Sequence, residues 1–436
     1  MERKITIVGA GVSGCALAVF AADNGAEVFV TDRGADLSDD KKKLFQEHSI
    51  EWEAGGHTER CTQCTQMVVS SGVSPASEAV RMAYQKEIPV LGELDFLAPY
   101  LRGKIIAVTG TNGKTTCTSL IGHILKHAGL NAAAAGNIGE PLAAQAGKPH
   151  DALVLELSSF QLSWNNLLKP DVSVLTNLAP DHINWHGSYE NYIAAKCRIF
   201  IPKAGECFAV THQCDAFRVP AGRTVCVLGS GACSVSLDGS DVILNRNGRR
   251  KVLFHKSSLS LIGAHNLENA AMSAAAAVLA FPDIDPDSNL AEFRALPHRC
   301  EKVAEKNGVL YVDDSKGTNV AAVITALRSI AGPKVIILGG QGKGENYDSL
   351  AEAVKEQTTA AVVIGSEADR IIDALQRNGY RNWHRAADMA EAVEKCSKLA
   401  RSGDTVLLSP ACTSWDMYHN FEERGDHFAA LVRQLR

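Results

Sequence analysis

A glycine-rich turn between an apolar run and a helical stretch constrains the fold of this chain most. The run is residues 105–108, the turn is 110–116 (GTNGKTT), and a helix is predicted from 114 to about 128. A buried strand, a glycine turn and a helix start in this order point backbone N–H groups at anionic oxygens. The pattern predicts an α/β domain with a phosphate site. Its spacing is shorter than Gly-x4-Gly-Lys-Ser/Thr, because valine occupies position 108.

Length and composition set the class of protein. A chain of 436 residues predicts two or three domains. With a net charge of −5 and 6% aromatic residues, we expect neither nucleic acid nor a membrane as a partner. Glycines at 9, 11 and 14 break the N-terminal apolar stretch too early for a signal peptide. Without a signal peptide, the twelve cysteines predict reduced thiols and a cytoplasmic protein. We also expect a monomer. Cys61 and Cys64 lack a second ligand pair and are interpreted as loop cysteines rather than a metal site.

Alternating apolar runs and helical stretches predict an α/β fold with three domains. These are a Rossmann-like N-terminal domain (1–91), a central P-loop ATP-binding domain (92–297) and a doubly wound C-terminal domain (298–436). Residues 207–253 predict a small antiparallel insertion in the central domain. The predicted strands are 5–8, 27–31, 67–70, 88–91, 105–108, 152–157, 172–176, 309–312, 335–338, 361–364 and 405–408.

Polar residues follow the central strands where ligands bind in an open parallel sheet. Lys114 is predicted to neutralise the β- and γ-phosphates of a nucleotide, and Thr115 to offer a hydroxyl to Mg²⁺. Glu156 and His182 end successive strands and are candidate metal ligands. Alternatively, Glu156 caps a helix and His182 satisfies a buried turn. Lys196, in a predicted helix, is by its pattern alone a solvated lysine.

A second glycine loop, residues 9–14 (GAGVSG), matches the dinucleotide fingerprint. Asp32 lies 23 residues after Gly9, about where an acid that binds ribose is expected. An oxidoreductase that uses NAD or flavin is therefore one hypothesis for this segment. The same loop geometry suits the diphosphate of a UDP-sugar, so the alternative is a UDP-substrate site.

Motifs spread over the whole chain resemble those of the Mur ligase family, which also includes folylpolyglutamate synthases. The resemblance accounts for the short phosphate loop, since that family's loop has this form. It is carried by residues 110–116, 156–161 (ELSSFQ), 177–183 (NLAPDHI), Lys196, 263–269 (GAHNLEN), 297–299 (PHR), 314–319 (DSKGTN) and 409–414 (SPACTS).

The resemblance implies an ATP-dependent carboxylate–amine ligase that forms ADP through an acyl phosphate. Residues 313–319, 338–344 and 408–416, followed by Asn420 and Phe421, most resemble members that add D-glutamate to UDP-N-acetylmuramoyl-L-alanine in peptidoglycan precursor synthesis. Another Mur-type ligase, such as one adding L-alanine, a folylpolyglutamate synthase and a non-catalytic ATP-binding switch are the other interpretations. Closure of the domains around the substrates is expected.

The resemblance also implies a role for individual residues. Two Mg²⁺ ions would be held by Thr115, Glu156, His182 and Lys196, with Lys196 carbamylated. The catalytic residues would be Lys114, Glu156, His182 and Lys196. Helix N-capping is the alternative role for Asn266 and Asn269. The implied ATP contacts are Gly110, Thr111, Asn112, Gly113, Lys114, Thr115, Thr116, Asn266, Asn269, His298, Arg299 and Asp314. The implied contacts with the UDP-substrate are Val12, Ser13, Asp32, Arg33, Gly72 and Asn137, and those with the amino acid are Lys316, Thr318, Lys343, Ser414 and Phe421.

Overall fold

The computed structural model describes residues 3–261, 263–288, 290–293 and 297–435. Within these ranges the strands form three sheets, of five, nine and six strands. The chain divides into two compact units, residues 1–258 with 269–290, and residues 259–268 with 291–436. The first unit contains the first two sheets and the second unit contains the third.

The first sheet is entirely parallel and has the order β3-β2-β1-β4-β5, which confirms the Rossmann-like prediction. Its central strands, β1 and β4, are mostly apolar and buried, as parallel strands between helices require, whereas the edge strand β3 is polar and partly exposed. The strands are β1 (Lys4–Val8), β2 (Glu27–Asp32), β3 (Glu51–Ala54), β4 (Gln66–Val69) and β5 (Val90–Gly92), and the helices are α1 (Val12–Asp23), α2 (Asp39–Glu47), α3 (Glu78–Gln85) and α4 (Glu93–Leu97).

The second sheet has the order β14-β13-β12-β11-β10-β9-β6-β8-β7. Its predicted antiparallel part is confirmed for β12–β14, whereas β10 and β11 run parallel and simply extend the sheet. The strands are β6 (Lys104–Thr109), β7 (Ala132–Gly136), β8 (Ala152–Glu156), β9 (Val172–Leu175), β10 (Phe208–His212), β11 (Thr224–Leu228), β12 (Cys233–Asp238), β13 (Asp241–Arg246) and β14 (Arg249–His255). The helices are α5 (Lys114–His127), α6 (Ser159–Ser163), α7 (Ile183–His186), α8 (Tyr189–Cys197) and α9 (Ala264–Ala280).

The third sheet has the order β15-β16-β20-β17-β18-β19, and all its pairs are parallel except β15 with β16. Helices follow the parallel strands, which confirms the predicted α/β alternation. The strands are β15 (Glu301–Lys306), β16 (Val309–Asp313), β17 (Lys334–Gly339), β18 (Ala360–Ile364), β19 (Trp383–Arg385) and β20 (Thr405–Leu408), and the helices are α10 (Val320–Ser329), α11 (Asp348–Gln357), α12 (Ala368–Arg377), α13 (Met389–Leu399) and α14 (Phe421–Gln434).

Hydrogen bonds join the first sheet's last helix to the second sheet's loops. The Asp95 carboxylate accepts from the backbone N–H groups of Asn166 and Leu167, both at 2.8 Å. The Trp164 indole donates to the Val73 carbonyl at 3.0 Å. These partly buried bonds help to hold the first two sheets in one compact unit. The domain limits at 91 and 297 stay predictions.

None of the helices in the described ranges is long and apolar enough to cross a membrane. All twelve cysteines are free thiols. Cys61 is buried in a short 3-10 helix (Glu59–Thr62) rather than a loop, and Cys64 after it donates to the Cys61 carbonyl at 3.6 Å.

Candidate active site

Two glycines shape the phosphate loop after β6. Gly110 has a φ of 148°, and a Cβ there would lie 1.9 Å from Oγ1 of Thr176. Gly113 has a φ of 83°, and its Cβ would lie 2.5 Å from Oδ1 of Asn269. A side chain at either position would meet both an unfavourable backbone conformation and a close neighbour. Gly113 directly precedes α5, so the loop opens onto the N-terminus of a long helix.

The end of the adjacent strand β9 holds this loop in shape. The backbone N–H of Thr111 donates to the Asn177 carbonyl at 2.9 Å, and that of Asn112 donates to Oδ1 of Asn177 at 3.0 Å. Nδ2 of Asn177 returns a bond to the Asn112 carbonyl at 3.0 Å. The hydroxyls of Thr111 and Tyr192 are 2.9 Å apart. The loop is therefore preorganised by its neighbours.

The Lys114 side chain folds over its own loop. Nζ donates to the carbonyls of Gly110 at 3.0 Å and Thr111 at 2.7 Å. The ammonium group thus lies at the mouth of the helix N-terminus, where it would meet the β- and γ-phosphates. Thr115 and Thr116 form the first turn of α5 with Lys114, and Thr116 is buried.

Glu156 is a buried carboxylate at the end of β8, 2% exposed. Oε1 accepts from Nδ2 of Asn137 at 3.0 Å, while Oε2 is buried and has no hydrogen-bond partner among the described residues. The helix-cap alternative is wrong, because Ser158 caps α6 in a capping box with Gln161. A buried carboxylate oxygen without a donor is costly unless a cation reaches it, so Glu156 is suited to bind a metal ion.

Lys196 is not the solvated lysine that its helix pattern indicates. Lys196 lies in α8 and is only 2% exposed, and its Nζ donates to the Gly110 carbonyl at 2.7 Å. The ammonium lies 4.7 Å from the centre of the Tyr192 ring. Burial, and then the charge of Lys114, hold the pKa of Lys196 well below its usual range. The structure therefore brings a readily deprotonated amine to the phosphate loop.

His182 lies just before α7 with a φ of 52°. Its side chain is 41% exposed, so the alternative of a buried turn residue is wrong, and Nε2 lies 3.5 Å from Oδ2 of Asp181. Its ring is 4.8 Å from that of Phe160. The neighbouring His186, which the sequence analysis missed, is buried, and Nε2 lies 2.9 Å from Oγ of Ser159. Burial lowers the pKa of His186 to about 4, which keeps it neutral at pH 7.

The glycine loop after β1 is braced by Asp32. Oδ2 of Asp32 accepts from the Ala10 N–H and Oδ1 accepts from the Gly34 N–H, both at 2.6 Å. The carboxylate thus supports the loop from within. A Cβ on Gly14 would lie 1.8 Å from the Gly9 carbonyl oxygen, so the helix start can pack this closely only as glycine.

The other predicted contacts with the UDP-substrate are more open. Val12, at the start of α1, is 76% exposed, and Arg33 and Gly72 are exposed after β2 and β4. Ser13 is half-buried in the first turn of α1. Asn137 follows β7, and its side-chain amide donates to Oε1 of Glu156.

In the second unit, His298 is buried with a φ of 61°. Nδ1 is 2.7 Å from Oδ2 of Asp313, and this hydrogen bond raises the pKa of His298. The backbone N–H of His298 donates to Oε2 of Glu301 at 3.0 Å. His298, Glu301 and Asp313 cluster closely, and these hydrogen bonds join His298 to both carboxylates. Arg299 is half-buried beside them.

Asp314, at the end of β16, is also buried. Oδ2 accepts from Oγ of Ser409 at 2.6 Å, and Oδ1 accepts from the Cys300 N–H at 3.3 Å. Burial raises the pKa of Asp314 to about 7. The helix α9 begins at Ala264, so Asn266 and Asn269 lie inside it, and the N-cap alternative for both is wrong.

Two of the predicted amino-acid ligands are in contact. Phe421 begins α14, and Nζ of Lys316 lies 3.8 Å from the centre of its ring. Ser414 is buried after β20, Thr318 is half-buried, and Lys343 is exposed after β17. These residues follow three neighbouring strands of the third sheet, at the edge where ligands bind.

Arg424 is a residue that the sequence analysis missed. It lies in α14 and is fully buried, and its guanidinium donates to Oγ of Ser315 at 2.9 Å and to the Cys412 carbonyl at 3.1 Å. It thereby ties together the loops after β16 and β20. Burial lowers the pKa of Arg424 to about 10. In sequence it resembles any exposed arginine of an amphipathic helix.

Comparison with known domains defines the class of protein. Residues 108–277 match the Mur ligase middle domain and residues 298–412 the glutamate ligase domain of Mur ligases. Residues 4–79 match the MurD N-terminal domain. Fold and phosphate loop together thus define an ATP-dependent amide ligase of the Mur type.

Full-length relatives narrow the assignment. The UDP-N-acetylmuramoylalanine–D-glutamate ligase of Pelotomaculum thermopropionicum is 41% identical over 100% of this chain and 98% of its own length. The enzyme of the same name from Alkaliphilus metalliredigens is 35% identical over 100% and 99%. The chain belongs to the Mur ligase family, among the UDP-N-acetylmuramoylalanine–D-glutamate ligases. Both matches include the two ends of the chain, where ligases of other specificity and folylpolyglutamate synthases are expected to differ.

Solved structures share the fold. A pseudomurein peptide ligase type C from Methanothermus fervidus has a TM-score of 0.62 with 18% identity, covering 100% of both chains. MurF from Acinetobacter baumannii has a TM-score of 0.63 with 18% identity, covering 98% of this chain and 93% of its own. At this identity the likeness concerns the fold alone.

Proposed function

We propose that the chain joins the amine of D-glutamate to the carboxyl group of UDP-N-acetylmuramoyl-L-alanine, with cleavage of ATP to ADP and phosphate. The observation that carries the chemistry is the buried Oε2 of Glu156, which has no hydrogen-bond partner among the described residues. Glu156 ends β8, which pairs with β6, the strand before the phosphate loop. A buried carboxylate oxygen of this kind is suited to bind a cation, and phosphates bound at the neighbouring loop would bind the same cation.

The reaction has two balanced steps. The carboxylate of UDP-N-acetylmuramoyl-L-alanine attacks the γ-phosphorus of ATP, and the bond to the β–γ bridging oxygen breaks to release ADP. The amine of D-glutamate then adds to the carbonyl carbon of the acyl phosphate, and the tetrahedral intermediate expels phosphate while the amine loses a proton. Both steps gather negative charge, which Lys114 and the N-terminus of α5 would stabilise.

We propose that Thr115, Glu156, His182 and Lys196 hold the Mg²⁺ ions. Bound Mg²⁺ would neutralise the phosphoryl oxygens and polarise the acyl oxygen. The donor set fits, because Glu156 has a free buried oxygen and His182 is half-exposed after the next strand. Asn137 orients the Glu156 carboxylate through Oε1, which leaves Oε2 for the ion.

We also propose that Lys196 is carbamylated. The ammonium first loses a proton, and the neutral amine then attacks CO₂ and loses a second proton to form a carbamate, so that a cation is replaced by an anionic oxygen ligand. The buried amine, its lowered pKa and its position on the Gly110 carbonyl support this. An unmodified ammonium at this position would repel Mg²⁺, whereas a carbamate would attract it.

The remaining assignments are proposals for each unit separately. In the first unit, the loop braced by Asp32 would hold the substrate diphosphate, with Val12 and Ser13 at the α1 N-terminus. In the second unit, His298, Arg299 and Asp314 would contact ATP. Lys316, Thr318, Lys343, Ser414 and Phe421 would bind D-glutamate, because two carboxylates need two sets of cations or donors.

The decisive experiment measures ADP release and amide product with Mg²⁺, ATP, UDP-N-acetylmuramoyl-L-alanine and D-glutamate, omitting each in turn. We expect turnover only in the complete mixture. L-Glutamate and L-alanine replace D-glutamate as matched controls and should give little product. A complete mixture that yields no amide would contradict the proposal, and a flavin spectrum or NADH binding would favour the oxidoreductase hypothesis.

A further inference from the structure

A second buried carboxyl group lies outside the proposed machinery. Glu93 begins α4 directly after β5 and is 3% exposed. Oε2 accepts from Nε2 of Gln161 at 3.3 Å, whereas Oε1 is buried and has no hydrogen-bond partner among the described residues. Burial raises the pKa of Glu93 to about 7, against the opposing effect of the Gln161 bond. A carboxyl group in such surroundings is costly for stability, so packing alone does not account for it.

The Gln161 amide connects Glu93 to the turn after Glu156. Oε1 of Gln161 accepts from the backbone N–H and the hydroxyl of Ser158, both at 3.0 Å. Oγ of Ser158 accepts from the Gln161 N–H at 3.2 Å, which completes the capping box of α6. Ser158 is two residues after Glu156, so this box holds the backbone that leaves β8.

Glu93 and the Ser158 N–H together fix the orientation of the Gln161 amide. A side-chain amide has an NH₂ end that donates and an oxygen that accepts, and the two ends are nearly equal in shape. Glu93 accepts from the NH₂ end, and the Ser158 N–H donates to the oxygen. Without Glu93, the NH₂ end loses its acceptor, the amide is held at one end only and the capping box weakens.

We propose that Glu93 is a positioning residue for the ligase reaction: by orienting Gln161 it holds the turn after Glu156, and with it the direction of the Glu156 carboxylate. Glu93 touches neither substrate nor metal in this scheme. The inference rests on the proposed role of Glu156 in binding Mg²⁺. It extends the support of that carboxylate beyond Asn137 to a residue on the first sheet's last helix.

The test is an exchange of the two side chains, with kcat and the Mg²⁺ concentration for half-maximal rate as readouts. Q161E places two carboxyl groups against each other and should raise the half-maximal Mg²⁺ concentration or lower kcat about tenfold, the size of effect typical of residues behind a metal ligand. E93Q/Q161E restores one donor and one acceptor in reversed order and should recover most of the loss. E93M, which has no acceptor, should resemble Q161E.

Asp95 supplies the matched control. It lies on the same helix and is equally buried, but its carboxylate bonds to Asn166 and Leu167 rather than to the capping box. D95N should lower the thermal unfolding midpoint while leaving kcat and the Mg²⁺ dependence unchanged. If Glu93 is merely structural, E93M will also lower the thermal unfolding midpoint and leave kcat and the Mg²⁺ dependence unchanged.

The outcomes distinguish a failure of the inference on Glu93 from a failure of the proposed function. If folded E93M and Q161E keep wild-type kcat and Mg²⁺ dependence while E156Q is inactive, the inference on Glu93 is wrong and the proposed function stands. If E156Q is as active as wild type, the metal role of Glu156 itself fails. If E93M does not fold, the volume-conserving exchange decides: failure of E93Q/Q161E to recover what Q161E loses overturns the proposal.

Discussion

Gly113→Ala tests the phosphate loop most directly, because α5 carries a matched glycine at its other end. Gly113 has a φ of 83° and Gly129 a φ of 81°, so alanine meets the same unfavourable backbone conformation at both. That conformation costs an alanine about 1–2 kcal/mol. The surroundings differ: the added Cβ lies 2.5 Å from Oδ1 of Asn269 at position 113 and has no atom within 4 Å at position 129.

The magnitude follows from this difference. G129A should lower the free energy of unfolding by about 1–2 kcal/mol. G113A adds a contact that the Asn269 side chain or the loop must relieve, which costs roughly a further 1–3 kcal/mol by analogy with overpacked sites. Because Asn269 also accepts from the Cys117 thiol through Oδ1 at 3.5 Å, its movement disturbs the first turns of α5.

The assay is urea unfolding of both variants with and without Mg²⁺ and ATP, together with the KM for ATP. We expect G129A to bind ATP like the wild type, and G113A to lose most of the stabilisation that ATP provides. The reasoning is refuted if G113A matches G129A in both its unfolding free energy and its KM for ATP.

Three further predictions concern charged groups. K114A should abolish ATP turnover without unfolding the chain, and turnover near the wild-type rate in a folded K114A protein would exclude the phosphate role. The raised pKa of His298 means that its protonation stabilises the fold fully below about pH 6.5, and this stabilisation is lost as pH rises through the folded pKa. D313N should therefore flatten the decline of the urea midpoint above that pH, and equal slopes in both proteins would contradict it. Removal of CO₂ from the buffer should lower turnover and bicarbonate should restore it, with intact-mass measurement detecting the carbamate on Lys196; a rate indifferent to CO₂ argues against the modification.

Much of the architecture was predictable because its signals are local. Apolar runs such as 105–108 and 335–338, each with a glycine within the next two residues, are strands in the structure because a parallel strand buried on both faces must be apolar along its whole length. The polar residue that ends such a run then lies at the ligand-binding edge, which is how Glu156 was found.

Strands whose amino-acid composition does not favour a β-strand were not predicted. β7 is AAAAG, an alanine run that favours helix, and it becomes a strand because it pairs with β8 along its whole length. β15, with the sequence EKVAEK, pairs antiparallel with β16 at the edge of the third sheet and stays largely polar. Pairing partners distant in sequence override local propensity in both cases.

The three α/β domains, the phosphate loop and the order of candidate ligands could thus be predicted from the sequence, since these depend on residue type and spacing along the chain. Which polar groups are removed from water depends on the folded chain. Lys196 and Arg424 have the pattern of exposed helix residues, yet the fold buries both. Asn137 donates to one oxygen of the Glu156 carboxylate, and within the described part of the chain the other oxygen has no hydrogen-bond partner. Burial and pairing are properties of neighbours brought together from distant parts of the chain, and they change the charge and reactivity of a side chain that local sequence leaves ordinary.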